Sequence, residues 1–277
     1  MTFSPEKDIP DLDGKVIIVT GGSSGLGKES VIQLAKHNPA AIYLTARTEA
    51  RGNAAIKEVE QAVPAAKNKI KYLELDLGSF ASIKKSTDAF LTSADRLDIL
   101  MNNAGLMATP PGLTTDGYES GSDVRVVNLS SELFKQAPSE GILLSKCKTP
   151  LDDISSLARY GQSKLADYYH TRTLSQLYPS IKFVAVHPGV VNTGIFDDFR
   201  KRRPWVGGVI SVLGSIFLTD VHAGARAQLW ASTAASASVK SGGFYNPKFK
   251  EYKEANLYDD KAAKELWDWT EKELEGH

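Results

Sequence analysis

The stretch Val16-Ile-Ile-Val19-Thr20-Gly-Gly-Ser-Ser-Gly-Leu-Gly27 decides the fold of this 277-residue chain. Its four apolar residues read as a short buried strand, and Leu26 to Lys36 reads as the helix that follows. In a doubly wound α/β sheet, a glycine-rich turn between first strand and first helix is where a dinucleotide sits. Gly21, Gly25 and Gly27 let the backbone turn sharply and approach a pyrophosphate, with Ser23, Ser24 and Leu26 carried on the same turn. The negative charge is met by amide hydrogens and the positive end of the helix. A tight turn with no ligand also fits this motif taken alone. Gly22 to Lys28 further match the first seven positions of a nucleoside-triphosphate loop, but Glu29 stands where a hydroxyl must hold magnesium and would repel phosphates. Phosphoryl transfer is set aside.

Working outward, strand and helix patterns alternate, which argues for a parallel sheet covered by helices. Strands are expected at Ile42–Thr45, Ile70–Leu75, Asp98–Met101, Val124–Leu129 and Ile181–Val186. Helices are expected near 49–63, 79–92, 159–178, 223–234 and 261–274, the last presenting Leu266, Trp267, Thr270 and Leu274 on one side. No repeat or linker divides the chain, so residues 1–277 are read as one domain.

Composition narrows the function classes. Lys plus Arg and Asp plus Glu balance at 33 each, so no basic field points to nucleic acid or an anionic membrane. One cysteine, Cys147, leaves no internal disulfide and no Cys-cluster zinc site. His187 closes an apolar run and reads as strand-end packing rather than a metal ligand; no metal is expected. The N-terminus lacks the basic start and apolar stretch of a secretory signal, so the expectation is a cytoplasmic protein.

About twenty residues past the glycine turn, the second strand ends in Thr45-Ala46-Arg47-Thr48, with no acid before Glu49. A carboxylate there would bind the adenosine ribose of NAD, whereas an arginine beside a hydroxyl can hold a 2′-phosphate, so NADP (NADPH) is expected in preference to NAD. Asp76 is placed either to accept from an adenine amine or to cap a turn. Tyr160 and Lys164 stand four apart, so on a helix they share a face and the ammonium favours the ionised phenol, a proton donor and acceptor.

These residues resemble the short-chain dehydrogenase/reductase family, in its retinol-dehydrogenase-like and fungal carbonyl-reductase-like branch. The likeness runs through Thr20-Gly-x3-Gly-x-Gly27, Asp76, Asn102-Asn-Ala-Gly105, Val127-Asn-Leu-Ser-Ser131, Tyr160-x3-Lys164 and His187-Pro-Gly-Val-Val-Asn-Thr193. It implies a single Rossmann-type sheet of about seven parallel strands. It also implies hydride transfer between a nicotinamide and a carbonyl or alcohol carbon. Tyr160 would then be the acid/base, Lys164 the ribose-binding partner, and Ser131, favoured over Ser130, the hydrogen-bond donor to substrate oxygen. Pro188, Gly189, Val191 and Thr193 would wrap the nicotinamide, and Asn103, Ala104 and Gly105 would line the cofactor alongside Leu26.

Two stretches depart from the pattern or qualify it. Between Gly105 and the fifth strand, residues 106–123 contain no asparagine and no helical period. The family's helix there, with its catalytic Asn and dimer interface, is therefore expected to be missing, which argues against a dimer. A shortened crossover would leave an apolar patch on the sheet and opens a rival reading, a nucleotide-binding protein or truncated isoform without chemistry. Arg200-Lys-Arg-Arg203 precedes the apolar run 205–218, which the resemblance implies is a substrate lid suited to an apolar carbonyl or alcohol, and which also fits an ordinary core helix flanked by solvated charge. The run is too short to span a bilayer but could touch a membrane surface.

Overall fold

Strand β1 (Val16–Val19) consists of β-branched side chains that suit a pleated surface, and almost all of it is buried. In the computed structural model, which describes residues 3–105, 125–149, 151, 153–191, 219–252 and 258–275, it is an interior strand of a parallel sheet. The other strands are β2 (Ala41–Ala46), β3 (Ile70–Glu74), β4 (Ile99–Asn102), β5 (Arg125–Leu129), β6 (Lys182–Val186) and β7 (Gly243–Tyr245). Their order is β3-β2-β1-β4-β5-β6-β7, and every pairing is parallel. The chain reverses direction across the sheet after β3, so the crevice at the carboxyl ends of β1 and β4 is the topological switch point.

Helices α1 (Pro5–Asp8), α2 (Gly25–Ala35), α3 (Glu49–Ala62), α4 (Phe80–Ser93), α5 (Ser156–Leu177), α6 (Val221–Thr233) and α7 (Asp260–Leu274) flank the strands. On one face α2, α3 and α6 bury Ile17, Val19, Ile42, Leu44 and Met101 in a core that also holds Val31, Leu34, Val59 and Leu229. Val127, Val184 and Val186 continue that face beneath Ala227 and Ala231 of α6.

The opposite face is divided. Phe90 of α4 packs with Val16, Tyr43 and Leu73. Leu174 of α5 packs with Val126, Ile181 and Phe183. At the seam between the two clusters, Ile18 of β1 and Leu100 of β4 are only half-buried although they belong to central strands. The link from β4 to β5 has only residues 103–124. The structures of 106–124, of Thr193 and of 200–218 lie outside the described residues.

At the amino ends of the strands, buried Asp98 accepts from Val16 N and is braced by Lys15 and Arg96. Burial opposes its charge, but these donors outweigh burial and hold the carboxyl below its usual range. Strands and long helices fall within a few residues of their expected positions. Helix α1 and strand β7 were not expected: one is a single turn, the other three residues beginning with glycine, and neither carries a period.

Candidate active site

The glycine turn is fixed by its neighbours on both sides. Gly21 and Gly25 take φ of +63° and +53°, which side chains rarely adopt. A Cβ at Gly27 would lie 2.4 Å from the Gly21 carbonyl oxygen, so the helix can start this close to the turn only with glycine there. Gly21 N donates to Thr45 Oγ1 (3.1 Å), Ala104 N to Thr20 Oγ1 (3.0 Å), and Asn103 Nδ2 to Thr20 O (2.9 Å). Gln228 of α6 donates to Asn103 Oδ1 (3.4 Å) and to Ser30 Oγ (2.5 Å). Asn103 is thus a brace of the turn. Glu29 is engaged by Gln33 Nε2 (2.6 Å) and His222 Nδ1 (2.9 Å), which gives it a role within the helix layer.

Helix caps mark the crevice. Ser79, Ser155, Asp220 and Asp259 cap α4, α5, α6 and α7 by accepting from first-turn amides. Ser24 and Thr48 stand at the N-caps of α2 and α3 without making such a bond, and α2 has no acid in its first turn. Both helices start at the carboxyl ends of β1 and β2, so their positive ends face the crevice without a side-chain cap, although α3 carries Glu49 in its first turn. This fits a group with a pyrophosphate near Gly25 and a further phosphate near Arg47, which is exposed beside Thr48. Asp76 Oδ1 accepts from Gly78 N (2.9 Å), the turn-capping role.

On the other side of the crevice, His187 N bonds Tyr245 O (2.8 Å), and the chain turns through Pro188 and Gly189, whose φ is +89°. Val191 is buried and bridges to Thr219. A Cβ at Gly224 would meet Val191 Cγ2 at 2.5 Å and Leu26 Cδ2 at 2.9 Å, so α6 brings Leu26 and Val191 together. The His187 ring is buried, which lowers its proton affinity, and its Nε2 lies 3.9 Å from Glu132. Among the described residues no group of three or more His, Cys, Asp or Glu is placed to hold a metal.

Past β5, Ser130 and Ser131 are both buried but differ in what their hydroxyls do. Ser130 Oγ donates to Lys164 O (2.8 Å), so its hydrogen is used. Ser131 Oγ accepts from Leu133 N (3.2 Å) as cap of the 3-10 turn Glu132–Gln136, which leaves its hydrogen to donate. Helix α5 lies against that turn through Gly161, where a Cβ would stand 2.6 Å from Ala137 N and 2.7 Å from Leu133 O.

Tyr160 and Lys164 share a face of α5, with Lys164 Nζ 5.8 Å from the centre of the Tyr160 ring. Nζ donates to Leu129 O (2.9 Å) and to Asp167 Oδ2 (2.6 Å). Below them Asn102 Nδ2 bonds Asn128 Oδ1 (2.9 Å), Asn128 Nδ2 bonds Thr171 Oγ1 (2.8 Å), and Thr171 Oγ1 donates to Asp167 O (2.6 Å). The site is therefore a polar column linking β4, β5 and α5. Asp167, Thr171 and Gly161 were not picked out in the sequence, and Asn128 entered only as part of the motif Val127-Asn-Leu-Ser-Ser131, with no role given to it. Extending the helical spacing from Tyr160 and Lys164 to positions 167 and 171 is the signal that finds two of them.

Residues 15–204 match the model of the short chain dehydrogenase family, and the chain belongs to the short-chain dehydrogenase/reductase family of oxidoreductases. An uncharacterised oxidoreductase of Schizosaccharomyces pombe is 31% identical over 97% of this chain and 87% of its own. That alignment runs over 303 positions, more than the 277 of this chain, so it includes stretches with no counterpart here. Human retinol dehydrogenase 12 is 29% identical over 92% of this chain and 85% of its own. Among solved structures, an NADPH-bound short chain oxidoreductase of Pseudomonas aeruginosa with an atypical catalytic center superposes with TM-score 0.64. It is 20% identical, with 86% and 96% of the two chains covered, a likeness that shows the fold. No helix among the described residues is long and apolar enough to cross a membrane.

Proposed function

We propose that this protein is an NADP-dependent oxidoreductase that interconverts the carbonyl and alcohol forms of an apolar small molecule in the cytoplasm. The observation that carries the reading is that Tyr160 and Lys164 share a face of α5, with Lys164 bonded to the end of β5 two residues before Ser131, on the same carboxyl side of the sheet as the uncapped starts of α2 and α3. The bound dinucleotide would supply or accept the hydride. Gly21, Ser23, Ser24, Gly25, Leu26 and Gly27 would hold its pyrophosphate end, with Ala104 and Gly105 alongside. Arg47 would pair with a 2′-phosphate, and Asp76 would sit near the adenine. Lys164 would bind the nicotinamide ribose, and Pro188, Gly189, Val191 and Thr193 would wrap the nicotinamide.

In reduction Tyr160 gives its proton to the carbonyl oxygen, and in oxidation it removes the proton from the alcohol. Ser131 donates its free hydroxyl hydrogen to the same oxygen and holds it in place. Ser130 cannot take this part while it serves the Lys164 carbonyl. Three features support an apolar substrate: the apolar run 205–218, the name of the relative retinol dehydrogenase 12, and the half-buried Ile18 and Leu100. The short crossover supports a protein that works without a dimer built on the helix this family carries there.

The same seam supports a second reading, in which the nucleotide site persists without chemistry. Fluorescence titration with NADPH and NADH, followed by a panel of apolar aldehydes and ketones, separates the two. NADPH oxidation lost in Tyr160→Phe is the expected result. Binding with equal background rates in wild type and variant would leave only the second reading.

A further inference from the structure

Lysine is an expensive residue to bury, because desolvation favours its neutral form. Lys164 is nevertheless largely enclosed, its side chain 14% exposed. Two of its three hydrogens are assigned: one goes to Leu129 O at 2.9 Å, the other to Asp167 Oδ2 at 2.6 Å. The Asp167 carboxylate is one helical turn along the same face, and Thr171 Oγ1 ties the Asp167 carbonyl into the Asn102–Asn128 column. The lysine end of this ion pair is therefore anchored on β5, and the helix backbone that carries Asp167 is tied to the polar column.

We infer that Asp167 is the positioning residue of the site: its carboxylate is the counter-charge that keeps Lys164 cationic and aimed along the Leu129 carbonyl toward Tyr160. The inference rests on the functional reading above in assigning Lys164 to that site. Among the described residues the titratable groups acting on Lys164 are Asp167 and Tyr160, both on α5. The packed strand β5 meets the ammonium through Leu129 O, and Ser130 just after it donates to the Lys164 backbone carbonyl, so neither contact brings a charge. Burial pulls the lysine toward its neutral form, and Asp167 with Tyr160 outweighs burial and raises its proton affinity. Without the carboxylate, burial is opposed by Tyr160 and by the bond to Leu129 O.

The position also sets what Asp167 can do to cofactor binding. A lysine already paired at 2.6 Å has one hydrogen left for a ribose hydroxyl. That single hydrogen has a defined direction because the other two are spent. Replacing Asp167 frees the ammonium to swing, so a loss of order as well as of charge follows.

The test is a titration of the lysine itself. Proteins labelled at lysine Cε are followed by NMR from pH 7 to 11, with the Lys164 signal assigned by its loss in Lys164→Met. In Asp167→Asn, similar in shape but neutral, the Lys164 midpoint is expected to fall by about one pH unit or more, and Asp167→Glu is expected to restore part of the shift. The NADPH dissociation constant at pH 9 is expected to rise roughly three- to tenfold in Asp167→Asn. If Asp167→Asn fails to fold, Asp167→Ser replaces it, with the same expectation. An unchanged midpoint in a folded variant overturns the inference. A shifted midpoint in proteins that turn over no carbonyl sustains the positioning role and sinks the functional reading instead.

Discussion

Gly161 of α5 and Ala137, just past the turn that follows Ser131, approach so closely that a Cβ at 161 would lie 2.6 Å from the Ala137 amide nitrogen. The obstacle is backbone, with Gln136 C and Leu133 O at 2.7 Å, so it cannot move aside as a flexible side chain would. Tyr160 is the preceding residue on the helix. Gly161→Ala should therefore destabilise the fold by about 1–3 kcal/mol, despite the better helix propensity of alanine. It should also lower turnover at saturating cofactor, because α5 must shift relative to Ser131. Urea denaturation and steady-state rates check this; an alanine variant as stable as wild type would show that the contact is not tight.

Thr171 has no exposed surface and joins two structures, accepting from Asn128 Nδ2 and donating to Asp167 O. In Thr171→Val the shape is kept and the acceptor is lost, leaving the Asn128 amide hydrogen buried without a partner. The expected cost is about 1–3 kcal/mol, measured by chemical denaturation. Thr171→Ser, which keeps the hydroxyl, should recover most of it. If valine and serine behave alike, the column is packing and the hydrogen bond contributes little.

How much of this was legible beforehand follows from the range of each interaction. Val16–Val19 and the glycine turn could be read because a buried parallel strand and its turn are written in consecutive residues. Tyr160 and Lys164 could be read because helical spacing is local. The different hydroxyl partners of Ser130 and Ser131 could not, since they depend on where α5 crosses the end of β5, more than thirty residues away. Gly224 was invisible for the same reason: it looks like an ordinary helix residue until Val191 and Leu26 arrive against it. The brace of Asn103 by Gln228 spans 125 residues and leaves no periodic trace.

Three histidines, His37, His170 and His187, are pushed by burial toward their neutral forms. In the unfolded chain each binds a proton near pH 6.5, and in the folded chain each resists until a lower pH. Over that interval the unfolded state holds more protons, so stability falls as pH drops through about 6.5 and stops falling below the folded-state values. Each group contributes up to about 1.4 kcal/mol per unit of separation. Urea midpoints should decline between pH 7.5 and 5.5, and less steeply in His187→Gln. Parallel declines in the two proteins would remove His187 from the account.

Arg47 is exposed at the end of β2, where α3 begins at an N-cap that Thr48 does not close with its side chain. The next acid, Glu49, accepts from Asn53 at 3.4 Å one turn along the helix. If Arg47 holds a 2′-phosphate, the bond is charge-assisted, worth about 1.5–3 kcal/mol. Arg47→Gln should then weaken NADPH binding roughly ten- to hundredfold while leaving NADH within about twofold, since NADH carries no phosphate there. Tyr160→Phe, by contrast, should bind both nucleotides and lose turnover, so the two variants separate recognition from chemistry. The ratio of the two dissociation constants is the quantity to measure, because it cancels any general loosening of the loop. Equal losses for both nucleotides would mean that Arg47 acts on the fold of the β2–α3 junction and that the cofactor preference has another origin.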